Sequence, residues 1–378
     1  MNQAQAADGT EPTRAQGPDP DGAIAPPEPD VAAGGGATEI EPAGYLLGSA
    51  EHPVILIERL LRATPGDVWS AWTEPDRVAR WLGAIEAPLS TPGVQVRIAM
   101  AESELPADFD QVENPATFTV REAVAPAEGR DGRLVLTFDD RADPSGRLIV
   151  SMRAADGGCL LTLRHALAPV AGAIDQSAGF GAGWEGFLDW LEEALTTGSR
   201  GDVDRYEALE PLYQRRQSRL ALVRDGSVSS SGGGAVVRHE RSVEAPVERV
   251  WDLVATSDGL ATWLGRVAEG ELGPGASVVL VQDDIRPEER QRWDVTAYEP
   301  LRRLVVEWTG NDEPPSTFSI ELTSDGDRTR LELEERGIRP ENADGYLAGW
   351  HAHLDVLVAA AEGFGIPSLR QALLATGT

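Results

Sequence analysis

Residues 54–62 and 236–244 are each an apolar, β-rich run, the pattern of a strand at the start of two similar series. Each run ends at Ala63-Thr64-Pro65 or Ala245-Pro246, a turn that opens a short helix. Asp67–Thr73 and Arg249–Ala255 are predicted as that helix. A second one ends at Trp81-Leu82-Gly83 or Trp263-Leu264-Gly265, where glycine suits a helix C-terminus. Strands are then predicted at about 94–101, 116–124, 133–139, 147–154 and 159–167, and at about 277–282, 290–299, 303–309, 316–323 and 329–335. Gly, Pro and Asp clusters bound most of them, as in antiparallel meanders. Each series closes in a longer helix, about 174–197 and about 340–363. In the first, Trp184, Phe187, Leu188, Leu191 and Leu195 fall at i, i+3, i+4, i+7 and i+11, and Trp350, Leu354, Leu357 and Ala361 repeat most of that stripe. One face of each long helix is therefore expected to lie on a sheet.

The two series are copies of each other. At an offset of 182, eleven of the thirty positions in 54–83 are identical in 236–265: Val54, Glu58, Arg59, Ala63, Val68, Trp69, Asp76, Ala79, Trp81, Leu82 and Gly83. At an offset of 166, Gly183, Trp184, Leu188, Asp189 and Leu191 recur as Gly349, Trp350, Leu354, Asp355 and Leu357. A period far above 50 residues is a domain duplication and not a solenoid. The predicted fold is α+β: two tandem domains, each an antiparallel sheet wrapped around a long C-terminal helix, with two short helices between the first two strands.

Composition places the boundaries. In residues 1–50, Ala, Gly and Pro fill 26 positions and eight carboxylates face a single Arg14. Such a segment buries too little apolar surface to order itself and reads as a disordered acidic tail, either an interaction segment or a solubilising leader. Asp225–Gly234, DGSVSSSGGG, reads as a flexible Gly/Ser linker. The expected division is a tail over 1–50, a first domain over 51–200, a connecting helix and linker over 201–235, a second domain over 236–364 and a C-terminal tail over 365–378.

Charge and residue usage remove several function classes. The 378-residue chain carries a formal charge of −29, and all 33 of its basic residues are arginine. Without lysine there is no Schiff-base chemistry, no lysine base and no Walker-type phosphate loop. So acidic a chain also argues against nucleic acid as a partner. Cys159 is the one cysteine, which excludes an intrachain disulfide and a multi-cysteine metal site. No apolar run approaches 18 residues and no secretory signal is visible, so no membrane insertion is expected and a cytoplasmic location is. The arginine-only, Ala/Gly/Pro-rich composition suggests a GC-rich, bacterial genome.

The run I-x-R-x-L-x-A-T-P-x-x-V-W-x-A-W-T-E-P-x-x-V-A-R-W-L-G, closed by G-W-x-x-F-L-D-W-L, resembles the activator of heat-shock-protein-90 ATPase homologue-like family of the START-like (SRPBCC) superfamily. The resemblance covers about 52–198 and, in a more diverged form, about 236–363. It implies a helix-grip fold with a cavity between sheet and long helix that binds apolar ligands in many relatives. The second copy has Val254-Ala255-Thr256-Ser257 where the first has Trp72-Thr73-Glu74-Pro75, so its inter-helix turn is expected to differ.

Among polar residues, Arg59 and Arg241 stand out. On the first strand Ile55, Ile57, Arg59 and Leu61 share one face; Val237, His239, Arg241 and Val243 do so in the second copy, opposite Arg238, Glu240, Ser242 and Glu244. An inward arginine is either an anchor for a ligand carboxylate or one half of an internal salt bridge. Trp81, Trp184, Trp263 and Trp350 either line a pocket or fill the core. His353, at the slot of Phe187, is either a lone polar group at the cavity or a satisfied core histidine. Arg59, Trp81, Trp184, Arg241, Trp263, Trp350 and His353 are thus the ligand-binding candidates. No catalytic residue, metal ligand or cofactor is expected: His351-x-His353 cannot share a helix face, and no nucleophile elbow or dinucleotide loop is present. The expected function is non-enzymatic binding of a small apolar or amphipathic ligand. The alternatives are a co-chaperone with a heat-shock ATPase as protein partner, and a cyclase or hydrolase of the polyketide type using His353 or His239 with Arg241.

Overall fold

The computed structural model describes residues 44–99, 116–138, 146–168, 172–199, 205–232, 234–283, 285–310, 314–363 and 366–376. Most of the acidic segment, residues 1–43, lies outside these. Both copies adopt the expected α+β architecture.

In the first copy the strands are β1 (Tyr45–Gly48), β2 (Pro53–Leu61), β3 (Ala84–Ile85), β4 (Gln95–Ala99), β5 (Ala116–Val124), β6 (Gly132–Phe138), β7 (Arg147–Ala155) and β8 (Gly158–Ala166). They form one antiparallel sheet in the order β1-β2-β8-β7-β6-β5-β4-β3. The short helices α1 (Pro65–Thr73) and α2 (Pro75–Val78) follow β2, and α3 (Ala173–Thr197) closes the copy. A connecting helix, α4 (Tyr206–Leu220), leads to the second copy. There β9 (Ser227–Ser231), β10 (Gly234–Val243), β11 (Arg266–Glu269), β12 (Ser277–Gln282), β13 (Arg286–Glu299), β14 (Arg303–Thr309), β15 (Ser316–Asp325) and β16 (Arg328–Ile338) repeat the same order, β11-β12-β13-β14-β15-β16-β10-β9. Its helices are α5 (Val247–Ala255), α6 (Ser257–Trp263) and α7 (Ala343–Glu362), followed by a C-terminal helix, α8 (Leu369–Thr376).

Side-chain alternation sets which face is buried. Val237, His239, Arg241 and Val243 point inward, while Arg238, Glu240, Ser242 and Glu244 are exposed. The stripes of the long helices lie on the sheets, with Trp184, Leu188 and Leu191 buried in one copy and Trp350, Leu354 and Leu357 in the other. The inter-helix turn does not differ as expected. Glu74 and Thr256 are each a single extended residue between two helices. The Thr256 hydroxyl accepts from Gly259 N at 3.0 Å and so caps α6.

Three boundaries are corrected. The tail expected to run to residue 50 stops earlier, because β1 pairs antiparallel with β2, Tyr45 opposite Leu56. The segment read as a flexible linker contains β9, which pairs with β10, Ser227 opposite Arg238. These strands sit at matched positions, yet all five residues of β9 are exposed, so no apolar alternation announces it. The tail expected over 365–378 contains α8, which joins the copies. Ala372 packs into the second core, and Ala375 packs with Leu47, Val54 and Leu56 of the first. Gln371 Nε2 donates to Glu58 Oε2 at 2.8 Å, and Arg164 Nη2 to the Ala375 carbonyl at 2.7 Å. No helix among the described residues is long and apolar enough to cross a membrane.

Candidate binding site

Strands β2 and β10 each lie beside the last strand of their copy, so their inward arginines face the long helix. In the first copy Arg59 meets Glu185 and Asp189, one turn apart on α3. Its Nη2 donates to Glu185 Oε2 at 2.5 Å and its Nη1 to Asp189 Oδ1. Asp189 also receives Nε and Nη2 of Arg205 at 2.6 and 2.9 Å. Glu185 Oε1 accepts from Gly44 N at 2.5 Å and from the Tyr213 hydroxyl at 3.0 Å. Burial opposes the charge on Arg59, but the two carboxylates outweigh it and hold its pKa above the usual value. Helix α4 seals this network: the Tyr213 ring lies against Gly181, where an added Cβ would come within 2.2 Å of it. Burial and the neighbouring Glu185 push the Tyr213 hydroxyl well up.

The second copy keeps the arginine and the aspartate, as Arg241 and Asp355, and puts His351 where the first has Glu185. One carboxylate is therefore missing. Arg241 is 1% exposed. Its Nη1 donates to the carbonyls of Glu240 at 3.1 Å and Arg224 at 3.4 Å. Its Nη2 stands 3.7 Å from Asp355 Oδ1, and neither Nε nor Nη2 makes a hydrogen bond among the described residues. Burial lowers its pKa, and Asp355 and Asp225 offset only part of that. His351 Nε2 donates to the Gly48 carbonyl at 2.9 Å, which ties α7 to β1. His239 Nε2 bonds to the Leu347 carbonyl at 3.0 Å. Burial first, then Arg241 and His351, push its pKa down to about 3, so it is neutral at pH 7.

A cavity of about 100 Å³ opens at the seam between the copies, with Arg241 and Asp355 in its lining. Its apolar walls are Leu46 and Leu47 of β1, Leu220 and Val223 at and after the end of α4, and Val358 of α7. A second cavity, about 610 Å³, lies among charged side chains of the outer face of β10, β15 and β16, including Arg238, Glu240, Glu321 and Glu334.

The candidate tryptophans have internal partners. Trp81 Nε1 donates to the Ala71 carbonyl at 2.9 Å and Trp263 Nε1 to the Leu253 carbonyl at 2.9 Å, one bond repeated at matched positions. Trp184 Nε1 donates to His165 Nδ1 at 3.1 Å, and Trp350 Nε1 donates to Glu335 Oε2. His165 and Glu335 are themselves equivalent, since each faces inward near the end of its copy's last strand. Glu335 also accepts from Ser316 at 2.5 Å and Trp308 at 2.6 Å, and burial raises its pKa. His353 Nδ1 donates to the Trp263 carbonyl at 2.9 Å and its Nε2 accepts from Gln282 at 3.2 Å; burial pushes its pKa down to about 4. Trp263, Trp350 and His353 thus come together inside the second copy, with His353 6.2 Å and 5.7 Å from the two indoles. Arg241 alone of the candidates lines the seam cavity.

Sequence reasoning did not single out Glu185, Tyr213, His165 or Glu335, and it weighed His351 only as a metal pair with His353. It noted Asp189 and Asp355 only as repeats. Their recurrence opposite a recurring arginine was the available signal. No group of three or more His, Cys, Asp or Glu among the described residues could hold a metal ion.

The family described as Activator of Hsp90 ATPase homolog 1-like protein matches residues 62–196 and 244–362. No curated protein matches the chain. Among solved structures, CalU16 from Micromonospora echinospora is similar at 24% identity over 41% of this chain and 92% of its own, with a TM-score of 0.34. DynU16, a protein in the dynemicin biosynthetic locus, is 15% identical over 82% of this chain and 98% of its own, with a TM-score of 0.32. The protein encoded by gene BPP1335 from Bordetella parapertussis is 28% identical over 42% of this chain and 91% of its own, with a TM-score of 0.32.

Proposed function

We propose, for a chain that belongs to the activator of Hsp90 ATPase homolog 1-like family and carries its domain twice, a non-enzymatic binding role in which the second copy takes the ligand and the first closes one wall of the site. One observation carries this reading. Arg59 has a carboxylate on each terminal nitrogen and leaves Nε alone without a hydrogen-bond partner, whereas the equivalent Arg241, more deeply buried, leaves both Nε and Nη2 without one and lines a cavity. A buried donor left bare costs about 1–3 kcal/mol, which a ligand acceptor would recover. A mostly apolar wall with a small number of placed polar groups is the usual make-up of a small-molecule site. The cyclase or hydrolase alternative draws less support, because His239 and His353 are bonded to main-chain carbonyls and neither contacts an acid.

Native mass spectrometry of the full chain, followed by denaturation and identification of released molecules, tests the role. The expected result is one small-molecule adduct per chain that is lost in Arg241→Met. A clean apo mass, before and after incubation with the small-molecule fraction of a cell extract, refutes the role and directs the search to protein partners.

A further inference from the structure

We infer that the seam cavity binds the carboxylate of a short aliphatic monocarboxylic acid, of about two to four carbons, with Arg241 as its anchor. The inference rests on the binding role proposed above and narrows it to a chemical class.

The chain carries its own template for the anchor. At the matched site Arg59 Nη2 is met by Glu185 Oε2 at 2.5 Å. The second copy has His351 there, and its Nε2 is engaged by the Gly48 carbonyl. Arg241 is the same arginine with that carboxylate removed. Its two bare nitrogens, Nε and Nη2, share one edge of the guanidinium, and their N–H bonds run parallel, the geometry that accepts two carboxylate oxygens at once. Arg205 uses that same edge on Asp189 at 2.6 and 2.9 Å.

The acids around the cavity limit the valence. The ionisable side chains lining the cavity are Arg216, Arg219, Arg241, Glu244, Asp355 and Glu362. Arg219 pairs with Glu362 at 2.6 Å, and Glu244 pairs with Arg328 outside the cavity at 2.9 Å. Within the lining Arg216 and Arg241 then face Asp355, while Asp225 acts on Arg241 from outside it. Arg216 bonds to the Gly44 carbonyl and stacks over Tyr45 and Tyr213, so it contributes charge without reaching for an acid. Arg241 can take one carboxylate, whereas a dicarboxylate would set its second charge against Asp355 or Glu362. Size follows from volume: an apolar cavity of about 150 Å³ takes benzene, so about 100 Å³ takes four to six heavy atoms. The leucine and valine walls accept the alkyl end.

The test is calorimetric titration of the full chain with sodium propionate, with sodium chloride at equal ionic strength as the blank and succinate and inorganic phosphate in parallel. The expected result is saturable one-to-one binding of propionate in preference to the other two. Two variants keep Arg241 in place. Ala359→Leu fills the cavity, and His351→Glu restores the carboxylate that the first copy uses. Each should weaken propionate binding about ten-fold or more while circular dichroism shows the fold unchanged. No saturable binding up to about 50 mM, binding equal to wild type in both variants, or preference for phosphate or succinate overturns the inference. If propionate fails while native mass spectrometry shows another adduct lost in Arg241→Met, the chemical class is wrong and the binding role stands. If neither experiment finds a ligand, both fall.

Discussion

Arg59 and Arg241 occupy equivalent positions, yet their removal should have unequal consequences. Arg59→Met strands Glu185, which has no exposed surface, and takes one of two arginines from Asp189. Breaking a buried pair from one side leaves an uncompensated charge and costs about 3–5 kcal/mol. Arg241→Met loses two bonds to main-chain carbonyls at 3.1 and 3.4 Å and a loose ion pair with Asp355 at 3.7 Å, and it also removes two nitrogens that were buried without a hydrogen bond. The loss and the relief are each about 1–3 kcal/mol and opposite in sign, so the net change should lie within about 1 kcal/mol. Asp355 keeps His351 Nε2 at 3.6 Å and Gly48 N at 3.5 Å in that variant. The measurement is thermal unfolding by tryptophan fluorescence, which samples both copies through ten tryptophans, with the first transition compared because the copies need not unfold together. At about 2–4 °C per kcal/mol, Arg59→Met should lower that midpoint by about 10 °C and Arg241→Met by at most about 4 °C. Equal shifts, or a larger one for Arg241→Met, would refute the claim that the first copy's ion network is complete and the second's is not.

Acid should weaken the second copy through His239. Its pKa is about 3 in the folded chain against 6.5 for the free group, so the unfolded chain binds the proton more readily. That stabilising difference is present in full above pH 6.5 and is lost as pH falls toward 3; between pH 6.5 and 4 it amounts to about 3 kcal/mol. His239→Ile, which installs the residue the first copy has at Ile57, should flatten the fall in urea midpoint between pH 7 and 4; an unchanged slope would contradict the assignment. Gly181→Ala should displace α4, because the new Cβ meets the Tyr213 ring at 2.2 Å. Overpacking of this kind costs about 1–3 kcal/mol, read as a lower thermal midpoint and faster proteolysis within residues 205–222, and a variant that unfolds and resists protease like wild type would show that α4 is not held there.

Much of the fold was legible because its signals are local and doubled. Strand β5 was expected at 116–124 and is found at Ala116–Val124, and the inward set Val237, His239, Arg241 and Val243 follows from alternation alone. Edge strands β1 and β9 escaped for different reasons. Tyr45–Gly48 is four residues long, too short to show a period, and Ser227–Ser231 has no buried face. Both are strands because their main chain pairs with β2 and β10. Helix α8 was hidden in a tail whose apolar residues are shared between two cores. For the site, alternation placed both arginines inward, and the internal salt bridge weighed for Arg59 is the contact it makes. Its acids were missed although Glu185 and Asp189 stand at i and i+4 on one helix face.

The sequence by itself determined the duplication, the strand and helix periods, and which residues of each strand turn inward, because these depend on backbone geometry repeated over a few neighbours. The tertiary structure decided what those inward groups meet. Arg59 finds Asp189 across 130 positions of chain. Arg241 finds a half-met Asp355 and a cavity whose walls come from β1, α4 and α7. A guanidinium's partner depends on sheet register, on the crossing of the long helix and on the segment that closes over both. Exchanging Glu185 for His351 at one helical position is silent in the hydrophobic pattern, yet in the folded chain it leaves one arginine with a carboxylate on each terminal nitrogen and the other with a bare terminal nitrogen.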